Sequence, residues 1–163
     1  MTRPLVAIVG RPNVGKSTLF NRLVGQPMSI VSDLPGTTRD RVAATIPWKG
    51  NGLILVDTGG IEVAPTSYMW EKIRAQVDIA LEESDVIIFL TDVVDGITPL
   101  DREISMSLRK RKKPLILVVN KVDNLRREQE AVEFYQLGLG EHLSISAYHN
   151  LGIRDLLSRL DYV

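Results

Sequence analysis

Short apolar runs alternate along the chain with longer segments whose apolar residues recur at helical spacing. Alternation of this kind is typical of a mostly parallel sheet with helices on both faces. The Gly-containing turn at 49–52 predicts a hairpin, and therefore one antiparallel strand. We predict an α/β fold with about six strands and about five helices. The predicted strands are 5–9, 42–48, 53–56, 86–90, 115–119 and 142–145, and the predicted helices are 16–24, 68–83, 100–110, 128–136 and 153–160.

The composition fits one globular domain of 163 residues, with 44% hydrophobic and 25% charged residues. Basic and acidic residues number 20 each, so a net charge of zero gives little general attraction to nucleic acid or to an acidic membrane. Cysteine is absent, which excludes disulfides, thiolate metal sites and cysteine nucleophiles. No apolar run approaches the roughly 20 residues that span a bilayer. We therefore expect a cytoplasmic, monomeric chain without a membrane partner.

The strongest motif is GRPNVGKS at residues 10–17, a full match to GxxxxGK[ST] between a predicted strand and a predicted helix. Its glycines let successive N–H groups and the helix N-terminus point at a phosphate. Lys16 should contact the β- and γ-phosphates, and the Ser17 hydroxyl should bind Mg²⁺. The motif predicts a P-loop NTPase. The predicted phosphate-binding residues are Gly10, Arg11, Pro12, Asn13, Val14, Gly15, Lys16, Ser17 and Thr18.

A second motif, DTGG, occupies residues 57–60 directly after a predicted strand. An aspartate at the carboxyl end of a strand can hold Mg²⁺, and the Gly60 N–H can contact a γ-phosphate. DxxG alone is a common turn, but its place downstream of a P-loop favours the functional interpretation. We predict that Asp57, Thr58, Gly59 and Gly60 belong to the nucleotide site, with Asp57 and Ser17 on Mg²⁺.

The segment NKVD at residues 120–123 follows another predicted strand. A carboxylate at Asp123 can accept hydrogen bonds from N1–H and the 2-amino group of guanine, whereas adenine offers neither donor. Asn120 should brace the loop, and Lys121 should cover the base. SAY at residues 146–148 follows the last predicted strand, where its backbone can reach guanine O6. The predicted base-binding residues are Asn120, Lys121, Asp123, Ser146, Ala147 and Tyr148.

A polar loop, PGTTRD, lies at 35–40 between the first predicted helix and the second predicted strand. A threonine in such a loop can join the Mg²⁺ ligands and leave them when the γ-phosphate is lost. Thr37 and Thr38 both fit this role, and the spacing does not choose between them.

The motifs GRPNVGKS, PGTTRD, DTGG, NKVD and SAY together resemble the Der (EngA) family of double GTPases, specifically its first GTPase domain, over essentially the whole chain. Era and the GTPase domain of MnmE share much of the pattern. The resemblance implies a fragment, residues 1–163, of a longer protein with a second GTPase domain and a KH-like domain. It also implies GTP and GDP as ligands and a role in assembly of the large ribosomal subunit. Within the family pattern PGxTRD, Thr38 binds Mg²⁺, and the P-loop Asn13 helps to bind K⁺.

Ile61 follows Gly60 where signalling GTPases place the glutamine that orients the attacking water. Isoleucine has no donor or acceptor, and no residue is compelled to act as an arginine finger. A monovalent cation offers a substitute for the missing positive charge. We therefore assign catalysis to Lys16, Thr38 and Asn13, and expect hydrolysis faster in K⁺ than in Na⁺. The alternative for Asn13 is a turn residue that bonds its own loop. Arg11 is expected to be solvated rather than catalytic.

Two functions compete. One is an enzyme that hydrolyses GTP to reset a switch, and the other is a guanine-nucleotide-gated binding module with negligible hydrolysis of its own. An ATPase or small-molecule kinase keeps the P-loop but does not explain NKVD. The basic run at 109–113 fits an RNA contact, but a helix C-terminus stabilised by positive charge explains it equally well. We favour the helix terminus.

Overall fold

The computed structural model describes residues 3–25, 42–48, 52–59 and 69–161. Within these residues lie six strands, five α-helices and one 3-10 helix. The strands are β1 (Leu5–Val9), β2 (Val42–Ile46), β3 (Leu53–Asp57), β4 (Val86–Asp92), β5 (Leu115–Asn120) and β6 (His142–Ser144); the helices are α1 (Lys16–Val24), α2 (Met69–Glu83), α3 (Pro99–Arg111), α4 (Leu125–Ala131), the 3-10 helix (Val132–Leu137) and α5 (Ile153–Leu160).

The strands form one sheet in the order β2-β3-β1-β4-β5-β6. β2 pairs antiparallel with β3, and the other neighbouring strands in the described residues pair in parallel. The predicted α/β architecture with a hairpin is therefore confirmed. The hairpin's turn at 49–51 lies outside the described residues, but Gly52 adopts a φ of 84° and its N–H donates to the Trp48 carbonyl over 2.8 Å.

Each face of the sheet carries its own apolar core. One core packs α1 and α5 against the sheet around Phe20, Ile88 and Leu156. The other packs α2, α3 and the 3-10 helix against the opposite face around Phe89 and Phe134. Because both faces are covered, β4 is buried along its whole length, as parallel strands usually are. Among the described helices, none combines the length and the apolar character that a membrane crossing needs.

Three strands extend beyond their predicted ends. β3, β4 and β5 finish at Asp57, Asp92 and Asn120, where the predictions stopped at the last apolar residue. The ladder continues because Asp92 still pairs with Asn120 across β4 and β5. These parallel strands end at the same edge of the sheet, which is where α/β folds bind ligands. The polar residues that terminate them therefore converge.

The predicted helix at 128–136 is wrong in its bounds and in part of its type. α4 already begins at Leu125, because the Asn124 side chain accepts a hydrogen bond from the Arg127 N–H over 2.8 Å and caps the helix. The chain then tightens into the 3-10 helix from Val132. That helix ends at Leu137, and Gly138 caps it with a φ of 72° that favours glycine. Because α4 starts earlier than predicted, Arg127 lies on its first turn, shortly after the NKVD motif in the chain.

Candidate nucleotide-binding site

The P-loop joins β1 to α1 and leaves the first turn of that helix open. Gly15 is the N-cap of α1 with a φ of 104°, and no side chain among the described residues caps the helix there. The N–H groups of the first turn are thus left for an external acceptor, and an anion is the natural one. Gly10 passes close to β4, where a Cβ atom would lie 2.6 Å from the Leu90 carbonyl oxygen. Both glycines are therefore required by the path of the loop.

Lys16 lies under the loop rather than in solvent. Its residue surface is 3% exposed, and Nζ donates a hydrogen bond to the Arg11 carbonyl over 2.8 Å. Its aliphatic chain packs on Gly59 of the DTGG motif so closely that a Cβ atom there would meet Lys16 Cε at 2.3 Å. The P-loop and the end of β3 are therefore in direct contact around one buried positive charge.

Ser17 and Asp57 form the other contact between these motifs. The Ser17 hydroxyl donates to Asp57 Oδ2 over 3.2 Å, and Asp57 Oδ1 accepts from the Gly59 N–H over 3.0 Å. A hydroxyl and a carboxylate oxygen side by side are hard ligands of the kind that Mg²⁺ prefers. The described residues contain no group of three or more His, Cys, Asp or Glu that could hold a metal. The pair therefore fits an Mg²⁺ ion that takes its other ligands from phosphate and water.

Two predicted site residues, Thr58 and Arg11, use their side chains for contacts within the fold. Thr58 Oγ1 donates to the Ile8 carbonyl over 2.8 Å, so its hydroxyl fixes the motif to β1. Arg11, expected to be solvated, is 8% exposed and pairs with Asp95 at 3.0 Å and with Asp101 at 3.5 Å. Burial raises the pKa of Asp101 above its ordinary value of 3.8, against the lowering effects of hydrogen bonds from Thr98 and of the Arg11 charge. Arg11 thus ties the P-loop to the start of α3.

A cavity of about 390 Å³ lies beside the P-loop, where the sequence predicts the base end of the site. Three motifs that are far apart in the sequence line it, together with residues that the sequence did not single out. The predicted lining residues are Gly15, Thr18, Asn120, Lys121, Asp123, Ser146 and Tyr148, and the additional ones are Val94, Arg127 and His149.

Asn120 joins the predicted phosphate and base parts of the site. Its Nδ2 donates to the Val14 carbonyl over 2.8 Å, and its Oδ1 accepts from the Ala147 N–H over 3.0 Å. Asn120 is 3% exposed, and a Cβ atom on Gly15 would lie 2.4 Å from its Nδ2. One side chain therefore braces the P-loop, the NKVD motif and the SAY loop together.

Lys121 reaches across to the end of β4. Its Nζ contacts Asp92 Oδ2 at 2.6 Å, and the Asp92 side chain is only 1% exposed. Asp92 Oδ1 in turn accepts from the Val94 N–H over 2.8 Å. The lysine stem is thereby stretched along the cavity wall. Asp92 was missed from the sequence, although a lone carboxylate at the end of an apolar strand was a usable signal.

The SAY loop is fastened from α1 by Arg22. Its Nε donates to the Ala147 carbonyl and its Nη2 to the Tyr148 carbonyl, both over 2.7 Å. These bonds hold the backbone of the loop against α1. Nothing in the sequence pattern marked Arg22, because it lies 125 residues from Ala147.

Asp123 has partners on both carboxylate oxygens. Oδ1 accepts from Arg127 Nη1 over 3.1 Å and from Asn124 Nδ2 over 3.2 Å, and Oδ2 lies 3.5 Å from His149 Nε2. The rings of His149 and Tyr148 also pack edge to face, with 4.9 Å between their centroids. Arg127 and His149 were not predicted. A helix cap at Asn124 would have indicated the first of them, because it places Arg127 in the first turn of α4, close to Asp123.

Asn13 is exposed and adopts a φ of 69° at the tip of the P-loop, and its side chain makes no hydrogen bond to the rest of the described chain. Pro12 beside it is half-buried.

Four residues of the predicted site and its surroundings lie outside the described residues. They are Thr37 and Thr38 of PGTTRD, Gly60 and Ile61.

Comparison with known proteins agrees with this geometry. Residues 5–121 match a family model described as 50S ribosome-binding GTPase. The chain is 52% identical to "GTPase Der" from Clostridium kluyveri, over 98% of this chain and 36% of that protein. It is 36% identical to Aquifex aeolicus Era bound to GDP and AlF4⁻, with a TM-score of 0.72 over 98% of this chain and 56% of that chain.

A second Era structure, bound to MgGDPNP and to 16S ribosomal RNA, is 32% identical, with a TM-score of 0.71 over 98% of this chain and 56% of the Era chain. The chain thus spans little more than a third of the length of its relative from Clostridium kluyveri. The resemblance to Der GTPases found in the sequence is confirmed. With the family match covering most of its residues, the chain belongs to the family of 50S ribosome-binding GTPases.

Proposed function

We propose that the chain binds GTP with Mg²⁺, hydrolyses it to GDP and phosphate, and acts as a nucleotide-dependent switch in assembly of the large ribosomal subunit. The observation that carries the proposal is that Asp123 shares one cavity with Gly15 and Thr18 of the P-loop. A guanine nucleotide whose base hydrogen-bonds to Asp123 would extend its phosphates towards the open first turn of α1. Adenine has no donor at the corresponding positions and would leave the carboxylate unpaired.

At the phosphate end, Lys16 supplies the positive charge. Its ammonium group, now on the Arg11 carbonyl, would turn to oxygens of the β- and γ-phosphates. A positive charge fixed in a site that excludes water stabilises the charge that develops during phosphoryl transfer. Ser17 and Asp57 would hold Mg²⁺, and we assign the third protein ligand to Thr38 from the PGxTRD pattern. When bound, the ion neutralises phosphate charge.

In the hydrolytic step, water attacks the γ-phosphorus while the bond to the bridging β–γ oxygen breaks, and the protons of the water remain with the phosphate. Ile61 cannot orient that water. We propose that Asn13 would hold K⁺, which when bound would supply positive charge for the phosphoryl transfer. Asn13 is suited to this task because its exposed side chain is not bonded to any residue of the described segments, as a turn-stabilising side chain would be.

The ribosomal role rests on the family description, which names 50S ribosome binding. With a net charge of zero, this domain gains little general attraction to RNA. We therefore propose that the chain is the nucleotide-binding domain, and by resemblance the first GTPase domain, of a longer two-GTPase-domain protein whose other parts contribute ribosome contacts. The length of its relative, of which the chain spans 36%, supports this organisation.

The test is conversion of GTP to GDP by the purified chain with Mg²⁺ and K⁺, followed by chromatography of the nucleotides. We expect turnover of GTP but not of ATP, and loss of turnover in Lys16→Ala. The matched control is Lys110→Ala, which removes an exposed lysine on α3. Binding of GTP without turnover would favour the alternative, a nucleotide-gated binding module, and equal turnover of ATP would contradict the guanine assignment.

A further inference from the structure

The Asp123 carboxylate is held by a residue that belongs to no recognised motif. Arg127 Nη1 lies 3.1 Å from Asp123 Oδ1 and 3.1 Å from the carbonyl oxygen of Lys121. One guanidinium nitrogen therefore spans the NKVD loop from its second to its fourth residue. Arg127 also lines the cavity. Its neighbour Arg126 has a side chain that is 77% exposed and faces Glu130 at 3.8 Å.

We propose that Arg127 is a positioning residue that fixes the plane of the Asp123 carboxylate for recognition of guanine by both of its oxygens. This inference rests on the proposed function, because it requires a guanine nucleotide in the cavity. A single hydrogen bond tolerates rotation of a carboxylate, but two simultaneous bonds to N1–H and the 2-amino group require one orientation. A carboxylate free to rotate would adopt that orientation only part of the time.

The arrangement leaves room for the base at Asp123 Oδ2, because the contact there, with His149 Nε2 at 3.5 Å, is longer than an ordinary hydrogen bond. Arg127 and Asn124 occupy both lone pairs of Asp123 Oδ1, and the contact with Asn124 is the longer of the two at 3.2 Å. Asn124 is exposed, so its amide group can bond to water once guanine takes its place. The Asn124 Oδ1 atom continues to cap α4. Arg127, anchored also on the Lys121 carbonyl, stays behind the carboxylate while the base binds.

The pair contributes more to orientation than to folding. The side chains of Asp123 and Arg127 are 29% and 28% exposed, and ion pairs at such partly exposed places add little to the stability of the fold. Loss of Arg127 should therefore change which bases are bound while leaving the thermal unfolding midpoint close to that of the unaltered chain. If Arg127 served only the fold, Arg127→Ala would lower the thermal unfolding midpoint and leave the preference among bases unchanged.

The test is equilibrium competition of GDP and IDP against a ribose-labelled fluorescent GDP, with the whole 163-residue chain and Mg²⁺. IDP lacks the 2-amino group and so makes only one of the two bonds to Asp123. In Arg127→Ala we expect affinity for GDP to fall by about tenfold and affinity for IDP to fall clearly less, so that the GDP-to-IDP ratio narrows. Arg127→Lys should restore part of the ratio, and Arg126→Ala should leave both affinities unchanged.

An equal loss of GDP and IDP affinity in Arg127→Ala would overturn the proposal, because it would indicate a general effect on the loop. A gain in GDP affinity would overturn it as well, since Arg127 would then compete with the base. If the unaltered chain binds neither GDP nor IDP, the proposed function itself fails, and that result is distinct from either pattern in the variant.

Discussion

Asn120 donates a hydrogen bond to the carbonyl oxygen of Val14 across 2.8 Å, although the two residues lie 106 positions apart in the chain. The bond joins the NKVD motif, to which we assign base recognition, to the P-loop, to which we assign phosphate binding. Because the same side chain also accepts from the Ala147 N–H, neither end of the site can shift without disturbing the other. In the proposed function, Asn120 therefore connects base recognition to phosphate binding.

Replacement of Asn120 tests that connection. Asn120→Ala leaves a buried carbonyl and a buried N–H without partners, so we expect the free energy of unfolding to fall by about 2–4 kcal/mol. Urea unfolding measures this loss, and the stabilisation by MgGDP should largely disappear. The control is Asn124→Ala, which removes a helix cap and should lower the free energy of unfolding by only about 1 kcal/mol while GDP still stabilises the chain. Equal losses in both variants would contradict the bridging role.

Base selectivity should follow the chemistry at Asp123. In Asp123→Asn an amide NH₂ faces the donors of guanine, so we expect GDP affinity to drop by about a hundredfold or more. Xanthine carries an acceptor in place of the 2-amino group, and the variant should therefore prefer XDP to GDP. Calorimetric titration with both nucleotides measures the change. The exposed Asp155 on α5 provides a control, Asp155→Asn, which should bind GDP as the unaltered chain does.

The buried pair of Arg11 and Asp101 predicts a particular pH dependence. Because the folded chain raises the pKa of Asp101 above 3.8, it binds more protons there than the unfolded chain does between the two values. The contribution of Asp101 to stability is therefore largest at low pH and falls as pH rises through that window. Asp101→Asn removes this term, so its free energy of unfolding should increase relative to that of the unaltered chain as pH rises above 3.8. The reverse trend in urea unfolding would mean that attraction to Arg11 outweighs burial.

Cation dependence tests the role given to Asn13. We expect GTP turnover several-fold faster in KCl than in NaCl at equal ionic strength, and expect Asn13→Ala to lose that difference. Asn13→Gly is a useful second variant because glycine keeps the left-handed φ of 69° that alanine disfavours. A cation effect that survives in both variants would remove Asn13 from the potassium site, and equal rates in the two salts would remove the site altogether.

The sequence was informative where local rules apply. Apolar runs and helical spacing predicted all six strands and both ends of α1 and α5. These patterns are visible in the sequence because both faces of the sheet are buried. The P-loop and Asp123 were also recognisable, since glycine and carboxylate at those spacings serve one chemistry. The ends of β4 and β5 were less clear, because Asp92 and Asn120 are polar residues within a continuing ladder.

Contacts between distant segments could not be read from local rules. Arg22 holds the carbonyls of the SAY loop, and Arg11 pairs with carboxylates near the start of α3, only because the sheet brings those segments together. The early start of α4 was accessible in principle, since Asn124 is a favoured cap residue. Missing that cap concealed Arg127, which becomes a neighbour of Asp123 only on a helix that begins at Leu125.

The central claim is that four separated segments form one guanine-nucleotide site. The most direct measurement is a titration of the isotope-labelled chain with MgGDP, and separately with MgADP, followed by amide NMR spectra. The account predicts that GDP shifts the amides of the P-loop, Asp57, Asp123 and Tyr148 together, at one stoichiometric site, while ADP at the same concentrations leaves Asp123 and Tyr148 unmoved. Shifts confined to the P-loop and identical for both nucleotides would contradict it.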